Sequence, residues 1–185
     1  MISEDLVSTC AELERQELTS PTGEASPQEY AQLLAIYLCQ SDLCNAKFLW
    51  KRIPASAKSS NEELSLIWKV GQCMWKRDYP AAYAALQAPW SDNVRHIMTT
   101  LQEELRSRAI DLIANAYSSI ALSDLAAMAG INDREAERIS NERGWIIDAE
   151  TEMVHPVRPP PSSQVITSSE GQLNKLTDYV SFLEN

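Results

Sequence analysis

The chain is 185 residues long, with 16 Lys and Arg against 26 Asp and Glu, a net charge of −10, and 44% hydrophobic residues. A folded chain of this length buries about 70% of the surface its unfolded form exposes, so the composition excludes a wholly disordered protein and allows one domain or two small ones. The charge argues against a generic nucleic-acid binder, whose affinity rests on Lys and Arg, and favours other proteins as partners.

In chain order, a first helix follows Ser3, with Leu6, Cys10 and Leu13 at helical spacing and Leu18 near its end; Pro21 and Gly23 break it. Ser26-Pro27-Gln28-Glu29 then combines an N-cap serine, proline at the first helical position and glutamate at N3. Tyr30, Leu33, Leu34, Tyr37 and Leu38 form one broad apolar face behind it. Ser41-Asp42 is a very short turn into the next helix, carrying Leu43, Ala46, Leu49 and Trp50, so the two should pack as an antiparallel hairpin. Pro54 should end that helix. Ser60-Asn61-Glu62-Glu63 predicts a second capping box, opening a helix with Leu64, Ile67, Trp68 and Met74. Asp78-Tyr79-Pro80 starts a shorter one with Tyr83 and Leu86, stopped by Pro89.

Residues 3–88 thus read as about five helices on short turns, the grammar of helix-pair (TPR-like) repeats without their strict consensus. Trp50, Trp68, Trp75 and Trp90 are expected to pack between helices rather than line a binding groove, because large aromatics dominate core area. Lys47, Lys51 and Arg52 form a small basic run, a solvated face or a docking patch for an acidic partner.

Ser91-Asp92 restarts the chain as a long amphipathic region from Val94 to Ile120, one helix or two joined near residues 106–108. A short apolar stretch, Ile120-Ala121-Leu122, follows. Next comes a small helix with Ser123 as N-cap and Gly130 as its turn, then another from Asn132 to Arg143 with an Asn132/Glu135 cap and Gly144 as its stop. Residues 145–148 and 153–155 read as two strands. Helix, short strand, helix, turn, helix and hairpin is the order of a winged helix.

Charge tests the DNA-binding role that this fold invites. From Ser107 to Arg158 five Arg face nine acids, a net of −4, and the would-be recognition helix carries Asp133, Glu135, Glu137 and Glu142. Those carboxylates would meet phosphates, so the module reads as a protein-interaction element. An outer strand, at Ile120 or at the wing near Val154, is a candidate to pair with a partner's sheet edge; the alternative is an ordinary edge blunted by Glu150, Glu152 and Pro156.

Arg158-Pro159-Pro160-Pro161 opens a linker running to about Glu170. Leu173, Leu176, Val180 and Leu183 then fall at steps of three, four and three, and Tyr179 and Phe182 widen the seam. A helix of about 13 residues is marginal alone in water, so it must dock, on its own domain or in a bundle with other chains.

The remaining inventory carries little chemistry. Cys10, Cys39, Cys44 and Cys73 form no Cys-x-x-Cys, and reduced, packed thiols are expected. The histidines are His96 and His155, without a zinc-hydrolase pattern, and the five glycines are too scattered for a phosphate loop. Neither cofactor nor metal is expected, no run of about 18 apolar residues exists, and the acidic Met1-Ile2-Ser3-Glu4-Asp5 lacks a signal-peptide pattern.

Four segments carry a resemblance that spans almost the whole chain. They are Tyr30 to Tyr37, Ala46 to Pro54, Trp75-Lys76-Arg77-Asp78-Tyr79-Pro80, and the terminal Leu176 to Asn185. With the order of helical repeats, acidic winged helix and lone terminal helix, they resemble the PCI-domain proteins. These are scaffold subunits of the proteasome lid, the COP9 signalosome and a translation initiation complex, and the likeness is greatest to a signalosome member. The resemblance implies a helical-repeat region (1–106), a winged-helix subdomain (107–158), a linker (159–170) and a bundle helix (171–185).

It also implies a non-catalytic role in a cytoplasmic and nuclear complex that removes NEDD8 from cullin–RING ubiquitin ligases, the zinc protease being another subunit. PCI subunits join through winged helices into an arc and gather their terminal helices in a shared bundle. The expected partners are therefore other signalosome subunits, subunit 3 especially. Ile120, Leu122, Trp145, Ile147 and Val154 should build or brace the winged-helix interface, while Leu173, Leu176, Tyr179, Val180 and Leu183 enter the bundle. A small proteasome-lid subunit is the alternative within the family, and a winged-helix nucleic-acid regulator the alternative outside it.

Overall fold

The computed structural model describes residues 4–20, 25–148, 151–158, 173, 176, 177 and 179–181. The expected break at Pro21 and Gly23, the linker 159–170, Phe182 and Leu183 lie outside the described residues. The fold is mainly α, as the sequence predicts.

Helices α1 (Glu4–Thr19), α2 (Pro27–Cys39), α3 (Leu43–Arg52), α4 (Ala55–Ser60), α5 (Glu62–Lys76) and α6 (Tyr79–Leu86) precede the long α7 (Asp92–Ala116). The capping box of α2 forms as written: the Glu29 N–H donates to Ser26 Oγ at 3.3 Å, and the Ser26 N–H donates to the Glu29 carboxylate at 2.7 Å. Beyond that cap α2 is apolar on nearly every side, so it sits at the centre, with α1, α3, α5 and α7 packed around it. Tyr30, Leu33, Leu34, Ile36 and Leu38 are each 2% exposed or less. Each such large side chain contributes about 1.5–3 kcal/mol when fully withdrawn from water. On α1, Leu6, Cys10 and Leu13 face this core, whereas Leu18 points to solvent. Tyr37 donates its hydroxyl to Glu14 at 2.6 Å, and Arg52 forms a two-pronged pair with Glu17, fixing α1 to α2 and α3.

Pro54 ends α3 as expected, Arg52 being the last helical residue, and then serves as the N-cap of α4, a short helix that the sequence pattern did not separate. The expected capping box at Ser60 fails. The cap of α5 is Asn61, whose side chain accepts the Glu63 N–H at 3.0 Å. Ser60 is the last residue of α4 and bonds back to Ala57, while the Glu63 carboxylate turns to the N–H and hydroxyl of Ser91. With one residue between α4 and α5, Ser60 is already helical and cannot adopt the extended backbone of a cap.

Helix α7 is continuous through residues 106–108, one helix rather than two, but it ends at Ala116 instead of reaching Ile120, which opens β1. Val94, Ile97, Met98, Leu101 and Leu105 belong to the large N-terminal core. Ile110, Ile113 and Ala114, one and two turns further, belong to a second core. Arg106 donates to the Ala129 carbonyl and Arg108 to Ser41 Oγ and the Cys39 carbonyl, stitching the two halves.

The second core is closed by β1 (Ile120–Ala121), α8 (Leu122–Ala129), α9 (Asp133–Glu142), β2 (Ile146–Asp148) and β3 (Met153–His155), in winged-helix order. Helix α8 starts one residue before the expected cap, with Ala121 at the N-cap and Ser123 inside the helix. The wing turn satisfies the first backbone donor of the helix: the Leu122 N–H donates to the Glu152 carbonyl at 3.0 Å. At the other end Gly130 takes the left-handed C-cap. Asn132 caps α9 by accepting the Glu135 N–H at 2.9 Å, and Gly144 reverses the chain after it.

The antiparallel sheet runs β1-β3-β2, with Ile120 opposite Val154 and Ile147 also opposite Val154. Val154 therefore lies on the central strand and is fully buried, which corrects the reading of the wing near Val154 as an outer strand. The outer strands are β1 and β2.

Candidate protein-interaction surface

Five of the residues expected at an interface sit in or against the second core. Ile120, Leu122, Trp145 and Val154 are between 0% and 9% exposed, and Ile147 packs against them half-buried. Their chemistry is bracing: within the second core they tie the short sheet to α8 and α9 and place its two edges. The apolar side chains left exposed around the sheet are others. Ile146 is 67% exposed, Val157 54% and Tyr117 41%. Ile146 pairs with His155, while Tyr117 lies three residues before β1 and Val157 two residues after β3, so the three belong to the same end of the sheet. Side chains also hold these two segments together: Arg158 donates to the Asn115 carbonyl at 2.9 Å, and His155 Nδ1 lies 3.4 Å from the Ser118 carbonyl. Sequence reasoning missed Ile146, although the in-out-in alternation Trp145-Ile146-Ile147 carried the signal.

The electrostatics of α9 oppose groove reading. Arg138 lies between Glu135 and Glu142 at 3.6 Å from each, and Arg143 pairs with Asp111 at 2.7 Å. Asp133 and Glu137 stay exposed. Arg138 on the helix and Arg143 at its C-cap thus face neighbouring carboxylates, and Arg134 is left exposed beside Asp133 and Glu137.

In the terminal segment, Leu173, Leu176, Tyr179 and Val180 are 60%, 59%, 68% and 51% exposed, so more than half of each apolar side chain faces solvent. Leu183, the fifth member of the expected seam, lies outside the described residues.

Nothing else among the described residues assembles reactive chemistry. No group of three or more His, Cys, Asp or Glu side chains could hold a metal ion there, and no helix among them is long and apolar enough to cross a membrane. The four thiols are free. Burial, reinforced by the Glu14 carboxylate, pushes the Cys10 thiol up to about 11, away from the range of a nucleophilic cysteine. Burial also raises Cys39.

Comparison with known proteins agrees with the fold. The model of the CSN8/PSMD8/EIF3K family matches residues 24–164. Among curated relatives, the COP9 signalosome complex subunit 8 of Xenopus laevis is 47% identical over 173 residues, covering 93% of this chain and 89% of its own. That of Danio rerio is 45% identical over 94% of this chain and 92% of its own. The more distant COP9 signalosome complex subunit 8 of Dictyostelium discoideum is 33% identical over 92% and 87%.

Proposed function

The chain belongs to the CSN8/PSMD8/EIF3K family, and from that membership we propose that it is a non-catalytic scaffold subunit of a COP9 signalosome. In this reading it serves the removal of NEDD8 from cullin–RING ubiquitin ligases by holding other subunits in place, in the cytoplasm and the nucleus. The winged-helix sheet abuts a neighbouring PCI subunit, subunit 3 being the expected one, and the terminal helix enters a shared bundle. The division into a helical-repeat region, winged helix, linker and bundle helix at residues 106, 158 and 170 belongs to the same proposal.

The observation that carries it is the exposed seam of Leu173, Leu176, Tyr179 and Val180. Four large apolar side chains on a short helix, each more than half in water, are unfavourable for a free monomer and favourable at an interface. The relatives' shared name supplies the assembly.

Affinity purification of the tagged full chain tests the proposal. It should recover stoichiometric signalosome components, and Leu176→Asp with Val180→Asp should lose them while the far-UV circular dichroism is unchanged. Unimpaired incorporation of that variant sinks the bundle role. Recovery of proteasome-lid components would move the chain to the other complex, and salt-sensitive DNA binding would favour the regulator reading.

A further inference from the structure

Cations are segregated along this acidic chain. Residues 43–77 hold Lys47, Lys51, Lys58, Lys69 and Lys76 with Arg52 and Arg77, seven cations against Glu62 and Glu63, a net of +5. The whole chain is −10, so the remainder carries −15. Arg52 is committed to Glu17, but the five lysines and Arg77 form no ion pair with a described residue. Of the two carboxylates, Glu63 is turned to Ser91.

The same helices hold aromatic rings at the surface. An open groove of about 280 Å³ between α3 and α5 is lined by Lys47, Trp68, Gln72, Trp75 and Lys76. Trp75 is 52% exposed, which departs from the expectation that the indoles pack between helices; Trp90 obeys it at 9%. Lys47 Nζ stands 4.8 Å from the centroid of Trp75. Trp68 stacks on Trp50 at 5.4 Å and 9°, and Lys58 Nζ stands 4.7 Å from Trp50 on the stack. Ammonium groups held over rings have fewer orientations to lose when they meet an anion.

We propose that this α3–α5 face docks a short acidic segment of another protein, one that carries an aromatic or aliphatic anchor. The unpaired lysines select carboxylates, and the half-exposed Trp75 beside Trp68 offers the apolar contact that a purely ionic site lacks. Charge range separates a short peptide from a long polyanion. Screening confines the field to about 8 Å at physiological salt, so a peptide within the groove meets the local positive charge. A nucleic acid of larger footprint would run onto the acidic remainder. This surface is distinct from the sheet and the terminal seam, and its test reads peptide binding rather than assembly.

The probe is a short fluorescein-labelled peptide of Glu and Asp carrying one Phe and one Leu a helical turn apart, titrated with the full chain by fluorescence anisotropy. Saturable binding is expected, weakening as salt is added and absent for the same peptide with Gln and Asn in place of its acids. Lys47→Glu with Lys76→Glu should weaken binding about tenfold or more, since each change replaces an attraction by a repulsion. Trp75→Ala should weaken it several-fold without altering the salt dependence. Should either variant lose helicity by circular dichroism, Lys76→Glu alone, on an exposed side chain, must still weaken binding. No binding of the acidic peptide, equal binding of its neutral version, or unchanged binding by the lysine variants overturns the proposal. So does stronger competition from an oligodeoxythymidylate of the same length.

Discussion

Replacing Gly130 by Ala should destabilise the protein out of proportion to the single methyl group it adds. Gly130 closes α8 at φ +63°, and a Cβ built there would lie 2.5 Å from Cγ and Cδ2 of Tyr83 and 2.7 Å from Cδ1. Tyr83 belongs to α6 and the N-terminal core, so the methyl would wedge the winged helix away from the helical repeats. Two costs combine. A left-handed backbone at an L-residue costs about 1–2 kcal/mol. Forcing a methyl into a closed contact costs about 1–3 kcal/mol, because a buried ring has few ways to retreat. The sum, about 2–5 kcal/mol, is a large share of the 5–15 kcal/mol by which a domain is ordinarily stable.

Urea unfolding followed by far-UV circular dichroism measures it, and a double-mutant cycle separates the parts. In a Tyr83→Ala background only the backbone cost of about 1–2 kcal/mol should remain. Gly130→Asn, which tolerates the left-handed region, should retain the overlap. A cost below about 1 kcal/mol for Gly130→Ala, or the same cost in both backgrounds, would refute the reasoning.

Four further outcomes are expected. Arg52→Ala should cost about 2 kcal/mol, and more than Glu17→Ala, because Glu17 is 9% exposed and left without its charge partner while the half-exposed Arg52 rehydrates; chemical denaturation of both variants compares them. Stability should be full below about pH 9 and fall above it, since burial raises Cys10 from 9.0 to about 11 and Tyr83 from 10.0 to about 12, so the folded chain keeps protons that the unfolded one releases. A melting temperature that holds or rises on the alkaline side would contradict that. Iodoacetamide should alkylate the exposed Cys44 well before Cys10 or Cys39, as peptide mapping after a time course would report. Ile146→Asp should leave stability within about 0.5 kcal/mol yet reduce co-purification of partner subunits.

What the sequence made legible was local. Ser26 and Glu29, Asn132 and Glu135, Gly130 and Gly144 act on backbone groups within a few residues, and their caps and turns stand where the pattern placed them. Most of the misreadings involve a partner far along the chain. Ser123 is not a cap because Glu152, from the other side of the wing, receives the Leu122 N–H. Asn61 rather than Ser60 caps α5, and the Glu63 expected to complete a box bonds Ser91 instead. Val154 is central rather than outer because β1 inserts beside β3, a pairing that no local period encodes. For the interaction surface, the apolar seam was visible as spacing. Which apolar residues brace and which face outward depended on the sheet order.

The continuity of α7 has a mechanical consequence. A helix of 25 residues is about 37 Å long, and here its two ends are embedded in different cores. Such a rod transmits orientation. A tilt of about 5° imposed where the sheet seats on a neighbour would carry the far end through about 3 Å, and α2 with its surrounding helices would follow as a body. In the proposed assembly, the seating of the winged helix would therefore aim the N-terminal helices, and with them the basic aromatic groove, as a gun carriage aims its barrel.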